Sequence, residues 1–172
     1  GNRNLLVIPS TDVVSEMREY ERTLAAAING CITPIFEDDL GQLIAAIPSR
    51  PSQIHIMQSN GGIANLDSPR KLPIKTILSG PAAAVNYVKK LTSDLAIDQA
   101  VSLDIGGTST DIGLLKQGMW LLTNEKEIAG FPIRLPMINV KSIGAGGGSI
   151  AHKRPNGRWH VGPESVGSDP GP

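Results

Sequence analysis

Residues 104–111 read Asp104-Ile105-Gly106-Gly107-Thr108-Ser109-Thr110-Asp111, and this stretch decides the fold. Ahead of it Val101, Leu103 and Ile105 alternate with Ser102 and Asp104; behind it Ile112, Leu114 and Leu115 resume an apolar run. The pattern predicts strand, tight turn, strand. A Gly-Gly turn lets backbone approach a ligand with no Cβ in the way, and its successive amides can form a concave seat for phosphate oxygens. Two carboxylates beside a phosphate are out of place by themselves, because like charges at ~4 Å and an effective dielectric of ~20 repel by roughly 4 kcal/mol per pair. A cation between them reverses the sign. Asp104 and Asp111 at either end of the turn therefore point to a phosphate and Mg²⁺ held together, with water completing the metal's shell. The competing reading, a plain hairpin with a primed Gly-Gly turn, leaves two acids and two threonines without a role.

The wider pattern resembles a known family. With SGPAAA at 79–84 before the loop, and IAGFPIRLPM at 128–137 and SIGAGGGSIA at 142–151 after it, the chain is similar to the hydantoinase A and 5-oxoprolinase family, relatives of the acetone carboxylase large subunit. The resemblance starts at STDVVSEMREYERT (10–23), passes through IMQSNGG (56–62) and reaches GPESVGSDPGP (162–172). It implies an α/β fold of the actin-like, ribonuclease H-like ATPase type with a mixed sheet. Residues 1–98 would be the end of a first lobe with its connecting helix, and 99–172 the truncated start of a second lobe, a β-meander carrying the phosphate loop. It also implies ATP-dependent opening of a cyclic amide activated by phosphorylation. Asp104 and Asp111 would manage Mg²⁺ and its waters, and Gly106, Gly107, Thr108 and Thr110 would hold the phosphates of ATP. The implied partners are the cyclic amide substrate, the remainder of the same protein, which would bring the other phosphate loop, and a hydantoinase B-type subunit or domain. The alternatives are an actin-like or chaperone-like ATP-driven switch without amide chemistry, and an interaction module whose glycine loops are only turns. Relatives usually carry Gly where Ala84 stands, and an Asp-x-His pair where this chain has Asn139 and Lys141. Asn keeps an oxygen ligand without the charge, and a protonated Lys cannot ligate, so the departure bears on substrate or second-metal chemistry.

Composition agrees. Sixteen basic and sixteen acidic residues cancel over 172 positions, which leaves no electrostatic footprint for nucleic acid or an anionic membrane. One cysteine, Cys31, allows no internal disulfide, and no apolar run approaches the ~20 residues of a membrane span. Both fit a cytoplasmic protein.

In chain order, Leu5 to Ile8 reads as a strand with little before it, as in the interior of a longer protein. Met17, Tyr20, Leu24, Ala27, Ile28 and Cys31 fall at helical spacings and predict the buried face of a helix, with Cys31 as a small core residue. Pro34 should kink or break that helix. PSRPS at 48–52 is a loop, and Gln53 to Met57 a strand with His55 turned inward. Asn60, Gly61 and Gly62 end that strand either as a ligand loop beyond its carboxyl end or as an ordinary turn. A strand at Ile74 to Leu78 leads into a helix from Ser79 to about Lys90, with Pro81 in its first turn. Strands at 100–105, 111–116 and 119–123 make the meander, with a turn at Gln117-Gly118. Gly146-x-Gly148-x-x-Ala151 matches a dinucleotide fingerprint, but Lys153 to Gly157 reads as a turn where that motif requires a helix. Gly146, Gly147 and Gly148 are then either a backbone cradle near phosphate or substrate, or a turn between strands. His152 and His160 bracket a hairpin at Pro155 to Gly157, and Val161 to Pro172 reads as an irregular tail.

Overall fold

The structure, a computed structural model, describes residues 7–47, 54–167 and 169. The loop at 48–52 lies outside them, as do Leu5, Leu6 and Gln53 of the two strands expected there. Along the chain run α1 (Ser10–Val13), α2 (Glu19–Ala46), β1 (Ile56–Met57), β2 (Ile63–Ala64), α3 (Asp67–Lys71), a 3-10 turn (Pro73–Thr76) and α4 (Ser79–Asp94). Then come β3 (Gln99–Ile105), β4 (Thr110–Lys116), β5 (Met119–Trp120), β6 (Leu122–Thr123), β7 (Lys126–Ile128) and β8 (Phe131–Ile133). The last four are β9 (Met137–Ile138), β10 (Val140–Ile143), β11 (Ser149–Lys153) and β12 (Trp159–Ser165). Contacts divide the chain into two units, Gly1–Ala82 with Leu122–Met137, and Ala83–Leu121 with Ile138–Pro172. The first division by contacts falls inside α4, where Val85 packs on the sheet beneath Gly113.

The first unit is built on α2, which continues through Pro34. Pro34 removes the hydrogen bond to Gly30 four residues back, yet packing on both sides of the proline outweighs that loss. The buried side runs through Ala25, Asn29, Thr33 and Leu40. The expected face is turned only partly inward: Ile28 packs against the core, while Met17, Tyr20 and Cys31 are exposed. The cause is Asn29, fully buried, whose Nδ2 donates to Lys71 O at 3.0 Å and whose Oδ1 accepts from Ile74 N at 3.1 Å. A polar residue satisfied in this way outranks apolar spacing in setting which side faces in. The expected strand at Ile74 to Leu78 is the 3-10 turn, opened by Pro73 and closed by Leu78 at φ 61°. Ile74 is apolar because it is fully buried against Val13, Val14, Ala25, Ile133, Leu135 and Met137. The strand before it shrinks to β1, paired antiparallel with β2, and His55 is exposed.

In the second unit β4 lies between β3 and β10, all antiparallel, and β5 adds two residues to β4. Gln117 and Gly118 have φ 53° and 68°, the signs a primed two-residue turn requires. The third meander strand ends early: after Trp120 the backbone turns to Asn139, whose amide donates to Leu121 O at 2.8 Å, and Leu122–Thr123 belongs to the first unit. One sheet face is covered at Ser102, Gly113 and Leu115. On the other, Val101, Leu103 and Ile105 are exposed by 61%, 63% and 66%. β11 and β12 form the expected hairpin, with His152 opposite His160. The expected tail is strand as far as Ser165, because the register shift between Ser149 and Ala151 accommodates a proline that cannot donate to the ladder.

Two substitutions probe these contacts. Asn29→Ala strands the buried Ile74 amide and the part-buried Lys71 carbonyl and should cost ~1–3 kcal/mol, read from chemical denaturation. A Cβ on Gly113 would sit 2.5 Å from Ser102 Oγ and 2.8 Å from Val85 Cγ2. Gly113→Ala should therefore lower stability by ~1–3 kcal/mol in the same measurement.

Candidate functional site

Antiparallel register places Asp104 directly opposite Asp111, with Ile105 opposite Thr110 next to the turn. Gly106 N donates to Ser109 O at 2.9 Å and closes it. Ser142 of β10 is Asp111's other cross-strand partner, and its hydroxyl donates to the Asp111 carboxylate. Asp104, Asp111 and Ser142 thus form a row across three strands on one face. Facing carboxylates are unfavourable without a positive charge between them. No group of three or more His, Cys, Asp or Glu that could hold a metal occurs among the described residues. A cation here would take its remaining ligands from phosphate and water.

The second glycine run is stacked on the first. Gly147 N donates to Gly106 O at 2.9 Å and Gly148 N to Gly107 O at 2.7 Å. A Cβ on Gly146 would meet Gly106 O at 2.5 Å and Ser109 N at 2.8 Å. The run is a turn between β10 and β11 whose composition is dictated by the loop lying on it. Thr110 is buried and donates its hydroxyl to Ala145 O at 2.5 Å, tying the loops together from below. With the carbonyls of Gly106 and Gly107 turned onto Gly147 and Gly148, the amides of Gly107 and Thr108 take no partner among the described residues, and both residues are exposed.

The structure therefore gathers Asp104, Gly106, Gly107, Thr108, Thr110, Asp111, Gly146, Gly147 and Gly148 in one unit. Asn60 and Gly61 belong to the other, in the β1–β2 turn, where Asn60 Oδ1 accepts from Gly62 N at 2.8 Å and Gly61 has φ 83°. Lys141 pairs with Ile112, so strand alternation puts it on the sheet face opposite Asp111, and Asn139 shares its parity. Ser142 escaped the sequence reading: one serine before a glycine run carries no signal of its partner 31 residues earlier.

The hydantoinase/oxoprolinase family profile matches residues 22–172. The chain belongs to this family. It is 34% identical to caprolactamase subunit alpha of Pseudomonas jessenii, over 98% of this chain and 25% of that protein. The crystal structure of the ATP-dependent caprolactamase from that organism superposes with a TM-score of 0.78 at 35% identity, over 95% of this chain and 24% of the other. 5-oxoprolinase 1 of Arabidopsis thaliana is 33% identical over 95% of this chain and 13% of its own length. Nucleotide-free acetone carboxylase superposes with a TM-score of 0.72 at 27% identity, over 92% of this chain and 22% of the other. The chain thus spans a quarter or less of each. These neighbours share its mixed α/β fold.

The two glycine runs should answer substitution differently. Gly146→Ala forces backbone against backbone and should cost ~1–3 kcal/mol. Gly107→Ala meets nothing within 4 Å and should stay within ~0.5 kcal/mol of the parent. Denaturation of both variants checks the contrast.

Proposed function

We propose that this chain carries a phosphate-binding loop of an ATP-dependent enzyme that opens cyclic amides. The observation that carries the reading is the outward pair of amides at Gly107 and Thr108, flanked by Asp104 and Asp111 and held from behind by Gly146 to Gly148. The donor set fits Mg-ATP: amides and the Thr108 hydroxyl for phosphate oxygens, and two facing carboxylates for a hydrated cation. Bound Mg-ATP would supply the phosphoryl group that turns an inert amide oxygen into a leaving group. The chain's own part is to orient the phosphates through backbone, to hold the two carboxylates at fixed register, and to set Asp111 through the Ser142 hydroxyl. Thr110, whose hydroxyl is engaged by Ala145, acts by positioning the loop.

On this reading the chain covers the end of one actin-like lobe and the start of the next. The rest of the protein supplies the opposing phosphate loop, and a hydantoinase B-type subunit completes the enzyme. The name of caprolactamase subunit alpha, which implies further subunits in that enzyme, supports the last point. A cytoplasmic setting is consistent with the single, exposed Cys31, and no helix among the described residues is long and apolar enough to cross a membrane.

In the full-length protein, Asp104→Asn should lower Mg-ATP turnover by orders of magnitude with little loss of stability. Steady-state ATP hydrolysis equal to the parent's would remove the assignment.

A further inference from the structure

The first unit contains a cavity of about 290 Å³ lined by residues of that unit. Five separate stretches of chain converge on it: the end of α1, the β1–β2 turn, the 3-10 turn, the β6–β7 link and the segment after β8. The walls are fixed by polar contacts. Arg134 lies 3.5 Å from both Glu16 and Glu21 and also pairs with Glu125, which locks the segment after β8 to the chain around α2's start. Ser59 Oγ lies 2.7 Å from Lys75 O and 2.5 Å from Ile77 O, which locks the β1–β2 turn to the 3-10 turn.

The lining has two chemistries. Val13, Val14, Leu135 and Pro136 supply an apolar wall. Gln58, Asn60 and Asn124 bring three carboxamides, and Lys75 brings an ammonium that forms no ion pair among the described residues. Asn60 Oδ1 is engaged by Gly62 N, which leaves its NH₂ to face a ligand. A volume near the low end of the ~300–1,000 Å³ typical of ligand sites, room for about ten waters, excludes a nucleotide and fits a small ring. Charge narrows the choice further. Arg134 is already met by three carboxylates, and Glu16 stands in the cavity wall, so a carboxylate ligand would gain from Lys75 and lose against Glu16.

We infer that this cavity is the seat of the amide substrate: a neutral lactam whose methylenes lie on Val13, Val14, Leu135 and Pro136, whose carbonyl accepts from Lys75 Nζ, and whose N–H and carbonyl pair with the carboxamides. The inference rests on the cyclic-amide reading for its ligand class, and adds to it Lys75 and Asn124 as binding residues in a unit separate from the phosphate loop's. Gln58 and Asn124 can each donate and accept while Asn60 adds its NH₂, a set that suits a ligand with both a donor and an acceptor. A ring ketone of equal size offers only the acceptor, and should bind less well because donor-matched groups are left unpaired.

The test uses the full-length protein without nucleotide, in equilibrium dialysis against radiolabelled pyrrolidinone, piperidinone and caprolactam, with cyclopentanone as the ring lacking N–H. At least one lactam should bind and cyclopentanone should bind more weakly. Lys75→Met, which keeps the methylenes, and Asn124→Ala, at an exposed position, should each weaken the lactam about tenfold. In amide-dependent ATP turnover the same variants should raise KM for the amide and leave KM for ATP unchanged. Asp104→Asn should still bind lactam in dialysis. Failure of all three lactams to bind, or parent-like affinity in both Lys75→Met and Asn124→Ala, overturns the site even if Asp104→Asn abolishes turnover. Undiminished turnover in Asp104→Asn, with lactam binding still sensitive to Lys75→Met, leaves the site standing and removes the phosphate-loop reading.

Discussion

The closest constraint on the candidate site is backbone lying on backbone: the carbonyls of Gly106 and Gly107 accept from the amides of Gly147 and Gly148, and Gly146 has no room for a Cβ. Peptide groups are bipolar, so turning two carbonyls inward presents the following amides outward. On the proposed reading, the loop's capacity for an anion is created by a second loop that need not touch the anion. Thr110 and Ser142 finish the arrangement from the sheet side, one bonded to Ala145 O and the other to Asp111. The charged pair and the amide seat are consequences of one packing solution.

Polar groups also set the geometry of the first unit. Asn29 and Arg134 each bind several partners from distant stretches, Asn29 through backbone groups of Lys71 and Ile74, Arg134 through three carboxylates. Buried apolar side chains supply most of the free energy of such a core, but that attraction is non-directional, whereas hydrogen bonds add directional constraints on register. The cavity stays open because its walls are pinned by such bonds.

Local signals in the sequence located the local structure. The β3–β4 turn, the Gln117-Gly118 turn, the start of α4 and the 155–157 hairpin all rest on alternation, Gly-Gly, Pro placement or a turn cluster, and each is present. The errors came where a distant contact overruled a local preference. Spacing alone turned α2's face toward Met17, Tyr20 and Cys31, because nothing near Asn29 announces that Lys71 and Ile74 will satisfy it. The apolar run at Ile74 to Leu78 has a strand's composition, and Pro73 with burial made it a single turn. Pairing the 106–109 loop with 146–148 joins residues some forty positions apart, and no periodicity reports that distance. In the candidate site the chemistry-bearing loop was legible, while its support from Ser142, Ala145 and the second glycine run was not.

The order of the two units along the chain bears on how the protein is made. The backbone passes from the first unit to the second at Ala82, returns at Leu122 and leaves again after Met137. Val13, Val14, Ala25 and Ile74 share a core with Ile133, Leu135 and Met137, so that core stays incomplete until the later segment emerges from the ribosome. During that interval the second unit's β3–β4 hairpin, whose partners are adjacent in sequence, is free to form first. Long-range closure of this kind is slow relative to hairpin formation. The two stretches of that core on either side of the hairpin therefore close on each other after the segment between them has folded.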